Sequence, residues 1–526
     1  MVTGVDKTLY QMVRDAALRY PGHLAYSFMG KNTSYQQMLR RIDAAAAGMA
    51  AQGIRKGDRV TICMPNSPQA VDCFYALNRL GAVANVIHPL CAPAELEFYL
   101  KLSESKAILV LDQFYEKVAA LQPNCAIWVA GIREELPPLK RLFYRNTPTG
   151  DCMRWEQVCR SGKELPSVNT DAQSCACILY SGGTTGTPKG VCLSSANFNA
   201  AALQTLDACG FPDVTSMKML AVLPIFHGFG LGVGIHTPLI AGAASILVPR
   251  FQLKNYIRLI RKVRPDFLPG VPALFDALLQ SPKLKHTNLG FLKGIFCGGD
   301  SLPAELKSRV DAFLQAHGCK EQIREGYGMT ECVSVTCLTP RFAAKYDTIG
   351  LPFAHTLFKI VSPGTTQEVP LGTEGEICIS GPSVMLGYLD NREETRLALQ
   401  THPDGKLWLH TGDLGSMDHD GYVRFIQRLK RMIITNGYNV YPTQLEAVLM
   451  AHPQVEACCV VGVADPQRGQ KVKAFLVVKG QPDPQDILAH CQHQVAKYAM
   501  PKELVFVDSL PMTHLNKVDY KKLEEM

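Results

Sequence analysis

From Met219 to Pro249 the chain runs 31 residues without Asp, Glu, Lys or Arg. A stretch of that length can span a bilayer as a helix, so its reading separates a membrane protein from one with a large buried core. Its interior argues against the membrane. Pro224 and Pro238 interrupt it, His227 and His236 lie inside it, and Gly228, Gly230, Gly232 and Gly234 alternate through its middle. Prolines and glycines both destabilise a lone lipid-facing helix. The segment is expected to be buried core and pocket wall, with no integral span; contact with a membrane surface is the weaker alternative.

The rest of the chain supports a core of that kind. Its 526 residues are 47% hydrophobic and 19% charged, enough to bury one or more large cores. Length alone allows roughly three to four domain-sized units. Lys and Arg number 54 against 47 Asp and Glu, a net charge of +7 spread thinly with no long run of one sign, which is a poor footprint for nucleic acid. Eighteen cysteines sit in apolar strings such as Cys175-Ala176-Cys177-Ile178, and no C-x-x-C pair occurs. Neither a disulfide framework nor an ordinary zinc site is expected. The first thirty residues carry Asp6, Lys7, Arg14, Asp15 and Arg19 with no apolar run between them, unlike a secretory signal. Reduced thiols in the cytoplasm follow.

Apolar runs of strand length alternate with helical stretches, the pattern of an α/β protein with largely parallel sheets. Strands are expected at Arg59–Met64, Ala82–Ile87, Ala107–Leu111, Cys175–Tyr180 and Gly294–Cys297, and a helix at Pro68–Leu80 that stops at Gly81. After about residue 427 the texture changes to short strands and two helices, a small α+β domain. Thr443-Gln444-Leu445-Glu446 behind Pro442 fits a capping box, and strands follow at Val455–Val463, Lys471–Val478 and Glu503–Val507 with a helix at Pro484–Ala496.

The string carrying most chemistry is Ser181-Gly182-Gly183-Thr184-Thr185-Gly186-Thr187-Pro188-Lys189-Gly190, directly after an apolar strand. Glycines let backbone amides approach an anion, while hydroxyls of Ser181, Thr184, Thr185 and Thr187 and the Lys189 charge can bond phosphate oxygens. It is not a Walker A loop, because Lys189 is flanked by Pro188 and Gly190 rather than by Gly and a hydroxyl residue.

This string resembles the adenylate-forming (ANL) superfamily of acyl-CoA synthetases, firefly luciferase and peptide-synthetase adenylation domains. Further motifs match in the superfamily's order: Tyr327-Gly328-Met329-Thr330-Glu331, His410-Thr411-Gly412-Asp413, Arg428-Leu429-Lys430-Arg431 leading into Asn436-Gly437-Tyr438-Asn439-Val440, and Lys517 near the end. The resemblance covers essentially the whole chain and implies a body of 1–427, a hinge at 428–430 and a mobile C-terminal domain of 431–526. It also implies that a carboxylate attacks the ATP α-phosphate, two anions whose repulsion positive charge and Mg²⁺ must offset. Glu331 would hold the Mg²⁺ and Thr330 would bond the α-phosphate. Tyr327 and Gly328, beside Gly299 and Asp300, would flank adenine; Asp413 would take the ribose hydroxyls with Arg428 assisting. Lys517 would be the adenylation lysine. Asn516 stands before it where the superfamily usually has Gly, and Gln427 replaces the Gly that commonly precedes the hinge arginine. Rotation about Lys430 would then withdraw Lys517 and present Gly437, Tyr438 and Asn439 to coenzyme A.

By the same resemblance His227, Gly228, Phe229 and Gly230 line the acid pocket with Gly270, Val271, Cys297, Gly298 and Gly326, and His227 counts among the catalytic groups. The uncharged segment offers no carboxylate to pair the ammonium of an amino acid. Its alternating glycines are expected to leave room for a linear acyl chain, so a medium- or long-chain fatty acid is the expected substrate. Coenzyme A is the expected acceptor; a separate acyl-carrier protein, or an aryl acid in place of the fatty acid, is the alternative. A non-enzymatic nucleotide-binding or membrane-associated module is the remaining class, disfavoured because Thr330, Glu331 and Lys517 are all present.

Overall fold

Strands form where the chain is continuously apolar because both faces of their sheets are covered. The computed structural model describes residues 4–142, 144, 150–181, 188–435, 438–440, 442–465, 469–480, 482–492, 494–495, 499–513 and 518–526. It divides into two compact units: one of 1–358, 379–409 and 420–423, and a second of 359–378, 410–419 and 424–526.

The first unit holds two large sheets. In an eight-stranded sheet, Met153–Arg154, Ala126–Ala130, Ala107–Leu111, Arg59–Cys63, Val83–Val86 and Cys175–Ser181 run parallel, and Lys189–Ser194 and Gly387–Tyr388 then add antiparallel at one edge. A nine-stranded sheet has Ile323–Gly328, Gly294–Cys297, Phe267–Gly270, Lys218–Ala221, Ala244–Leu247 and Leu24–Phe28 as its parallel centre. Two of the expected strands, Ala107–Leu111 and Gly294–Cys297, match the observed limits at both ends. The helix Pro68–Arg79 starts where Ser67 Oγ accepts the Ala70 N–H at 3.3 Å. Gly81, at φ +68°, lets the chain turn away after it. The fold is mixed α/β with parallel-rich sheets, a large N-terminal body and a smaller C-terminal domain.

The uncharged segment is cut into short pieces: the strand Lys218–Ala221, a π-helix over Phe229–His236, a helical turn Thr237–Ile240 and the strand Ala244–Leu247. None of the residues from Met219 to Pro249 is exposed. Leu220 and Ile246 join Leu268, Phe275, Ile295, Leu314 and Ile323 in one core, where each buried side chain contributes about 1.5–3 kcal/mol. Among the described residues no helix is long and apolar enough to cross a membrane. All eighteen cysteines are free thiols.

The second unit contains a five-stranded sheet of Tyr438–Val440, Ile433–Thr435, Gly469–Val478, Val455–Asp465 and Glu503–Phe506. Helices Pro442–Met450 and Pro484–Gln492 bring Leu445, Leu449 and Ile487 into its core. The expected capping box at Thr443 does not form. The helix already begins at Pro442, the Thr443 hydroxyl reaches the Ile426 carbonyl at 3.3 Å, and Glu446 accepts from Arg431 at 2.6 Å and from the Val460 N–H at 2.8 Å. A guanidinium is a stronger partner for that carboxylate than a free helix amide.

Candidate active site

Parallel strands in register deliver their carboxyl ends to one place, where open α/β sheets bind ligands. Here Gly270 lies beside Cys297, and Cys297 beside Glu325. The Gly298 N–H donates to the Gly270 carbonyl at 3.1 Å. A Cβ on Gly298 would sit 3.0 Å from the Gly326 carbonyl and 3.3 Å from Phe229 Cε1, and one on Gly299 3.6 Å from Val271 Cγ1. Residues expected to form the acid pocket, Phe229, Gly270, Val271, Cys297, Gly298 and Gly326, therefore converge with Gly299 of the nucleotide set. His227 is half-buried, its ring 4.9 Å from that of Phe226. Asp300 is exposed and accepts the Ser301 N–H at 3.0 Å.

Two of the four alternating glycines of the uncharged segment, Gly228 and Gly230, do something other than leave room. A Cβ on Gly228 would lie 1.4 Å from the Val333 carbonyl oxygen, and one on Gly230 2.0 Å from that of Pro224. A Cβ on Gly328 would lie 1.7 Å from the Ser334 oxygen. All three positions are small because backbones touch there, which corrects for Gly228 and Gly230 the expectation that they vacate space for an acyl chain. Val333 itself has φ +66° and ψ −60°, a costly conformation for a β-branched residue. The strain sits two residues after Glu331, at the carbonyl that Gly228 approaches.

Tyr327 ends the last parallel strand with Gly328, its ring centroid 6.3 Å from that of Phe358. Thr330 and Glu331 occupy the short 3₁₀ turn that follows. Glu331 is buried, and its Oε1 accepts the Tyr388 hydroxyl at 2.9 Å. No basic residue pairs with it among the described residues, so its second oxygen suits a hard cation; the residues present fit Mg²⁺.

Across the antiparallel hairpin Ser181 pairs with Lys189, the two ends of the string expected to bind phosphate. Pro188 is half-buried. Gly182, Gly183, Thr184, Thr185, Gly186 and Thr187 lie outside the described residues. Lys189 Nζ is 5.0 Å from the Tyr388 ring centroid and ion-paired to Glu394. Neither Tyr388 nor Glu394 was expected from the sequence. The only local sign is Asn391-x-x-Glu394, an N-cap spacing.

Among the groups of this unit that burial displaces are Glu325 and His236. Glu325 accepts the Leu302 N–H at 3.2 Å, and burial raises its carboxyl to about 7; that hydrogen bond and Lys307 oppose the shift, and Asp347 reinforces it. His236 bonds Tyr75 at 3.0 Å and Asn199 at 2.9 Å, and burial lowers it to about 3. It is a neutral core histidine.

In the second unit Asp413 is buried with its Oδ1 3.0 Å from Arg428 Nε. Its N–H donates to Thr411 Oγ1 at 3.1 Å, and Gly412 N–H to Glu376 Oε1 at 3.0 Å. Lys430 is exposed on a short 3₁₀ turn. Tyr438 and Asn439 pair in a strand with Thr435 and Ile434; Gly437 and Lys517 lie outside the described residues.

The sequence matches the AMP-binding enzyme family over residues 13–389 and the AMP-binding enzyme C-terminal domain over 444–517. The chain belongs to the AMP-binding enzyme family. Among its relatives, a long-chain-fatty-acid–CoA ligase of Bacillus subtilis is 32% identical, covering 99% of this chain and 94% of the relative. A feruloyl-CoA synthase of an Amycolatopsis species is 31% identical, covering 93% of each chain. The solved structure of ATP-bound MatB from Rhodopseudomonas palustris superposes with a TM-score of 0.86 at 28% identity, covering 99% of this chain and 98% of that one. Lys189, Tyr327, Glu331 and the residues expected to line the acid pocket all belong to one compact unit.

Proposed function

We propose that the protein is an AMP-forming acyl-CoA synthetase. It joins a medium- or long-chain fatty acid to AMP, releasing pyrophosphate, and then transfers the acyl group to the thiol of coenzyme A. The observation that carries this reading is the placement of a phosphate-seeking cation, Lys189, and a cation-holding carboxylate, Glu331, on two sides of the Tyr388 side chain. Likeness to the long-chain-fatty-acid–CoA ligase over nearly the full chain supports the acid and the acceptor.

In this reading the phosphate loop from Ser181 to Lys189 holds the triphosphate and Thr330 donates to the α-phosphate. Tyr327, Gly328, Gly299 and Asp300 hold adenine, and Asp413 with Arg428 binds the ribose. Mg²⁺, when bound through Glu331, supplies charge to offset the negative phosphate oxygens. Lys517 reaches the carboxylate and α-phosphate while charge develops between them. The segment after residue 430 then turns about Lys430 and brings Gly437, Tyr438 and Asn439 to coenzyme A. The domain limits are 1–427, 428–430 and 431–526. The enzyme acts in the cytoplasm.

An aryl acid is the second reading, favoured by the likeness to a feruloyl-CoA synthase and by the close-packed glycines at 228 and 230. One experiment separates the readings: purified protein with ATP, Mg²⁺ and a panel of fatty and aryl acids, with coenzyme A or an acyl-carrier protein. Pyrophosphate and thioester are followed by mass spectrometry. Fatty acyl-CoA is the expected product. Turnover of aryl acids alone, or thioester only on the carrier protein, would overturn it.

A further inference from the structure

The reading of Lys189 and Glu331 leaves the residue between them without a role. Tyr388 comes from a segment far along the chain, and four restraints fix it. Its strand pairs with the Lys189–Ser194 strand, Gly387 opposite Cys192 and Tyr388 opposite Val191. Its N–H donates to Thr395 Oγ1 at 2.8 Å. Upstream, Asn197 Nδ2 donates to the carbonyls of Pro382 at 2.9 Å and Val384 at 2.8 Å. Met385 N–H donates to the Glu331 carbonyl at 2.8 Å. The side chain is thus held between two functional groups on a rigid frame.

Each end of that side chain meets one group. The ring face lies 5.0 Å from Lys189 Nζ, within the range in which an ammonium is attracted to an aromatic quadrupole. The hydroxyl donates to Glu331 Oε1 at 2.9 Å. Glu394 closes the other side of Lys189; it is placed by the start of the Arg392–Ala398 helix, where Asn391 Oδ1 accepts the Glu394 N–H at 3.1 Å.

We infer that Tyr388 is a positioning residue that joins the phosphate-binding lysine to the metal-holding carboxylate. Its ring sets the direction of the Lys189 ammonium, and its hydroxyl fixes one Glu331 oxygen so that the other faces the cation. Groups that orient a metal ligand in this way commonly change metal affinity when removed. The inference rests on the reading of Lys189 and Glu331 given above.

The test is calorimetric binding of ATP to the full-length protein, without acid or coenzyme A, across a series of Mg²⁺ concentrations. Tyr388→Phe keeps the ring and removes the hydroxyl. It should raise the Mg²⁺ midpoint about tenfold while leaving metal-free ATP affinity unchanged. Tyr388→Met keeps apolar bulk without an aromatic face, and should weaken metal-free ATP binding as well. A Tyr388→Phe protein with the wild-type Mg²⁺ midpoint overturns the inference, as does one that loses metal-free and metal-bound affinity equally. Glu331→Gln separates this from failure of the underlying reading: if it keeps the wild-type Mg²⁺ response, Glu331 does not hold the cation and both fall.

Discussion

At the scale of single residues, burial sets which charges the protein can use. Glu325 has its carboxyl raised to about 7 by burial, against about 4.3 in an open chain. Between those values the folded protein binds a proton that the unfolded chain has released, so stability falls as pH rises through the window and levels off above about 7. The loss is up to about 4 kcal/mol. Glu325→Gln removes the titration and retains an oxygen for the Leu302 N–H. Thermal melting from pH 5 to 8 should show the variant gaining on wild type as pH rises; parallel curves would contradict the burial argument. The sequence could not show the state of Glu325, because its desolvation comes from strands and a helix brought in from elsewhere. Tyr388 and Glu394 carry no sign in the sequence of their link to Lys189 and Glu331 for the same reason: it exists only once the Gly387–Tyr388 strand is laid on the sheet edge.

Among elements, local patterns read well where the chain's own chemistry decides. The apolar runs Ala107–Leu111 and Gly294–Cys297 became strands with the expected ends, and Ser67-Pro68 began its helix. They read poorly where a distant neighbour decides. Thr443 and Glu446 have the spacing of a cap, but Arg431 and the Val460 amide take the carboxylate. The glycines of the uncharged segment carry the same lesson. Their spacing was visible, while the reason for Gly228 is the carbonyl of Val333 on another element. Gly228→Ala would force the wall away from the strained turn after Glu331. It should cost about 1–3 kcal/mol of stability and lower kcat/KM at least about tenfold, which corresponds to roughly 1.4 kcal/mol in the barrier. A melting curve and initial rates check both; a variant matching wild type in both would mean that the contact is not needed.

For the whole molecule, the uncharged stretch from Met219 to Pro249 is neither a membrane span nor one helix. It is divided among strands and a π-helix of the first unit, with Phe229 at its middle against Gly298. The superfamily motifs divide in turn: Lys189, Tyr327, Thr330 and Glu331 belong to one compact unit, and Asp413, Arg428 and Lys430 to the other. A two-step ligase can use such a division by taking different groups from the second unit for each step. The decisive measurement is acid-dependent exchange of labelled pyrophosphate into ATP without coenzyme A, run on wild type and Lys517→Ala, together with thioester formation from supplied acyl-adenylate. The account predicts exchange in the wild type with a fatty acid, loss of exchange by orders of magnitude in the variant, and thioester formation largely intact in both. No exchange with any acid, or equal loss of both half-reactions in the variant, would contradict it.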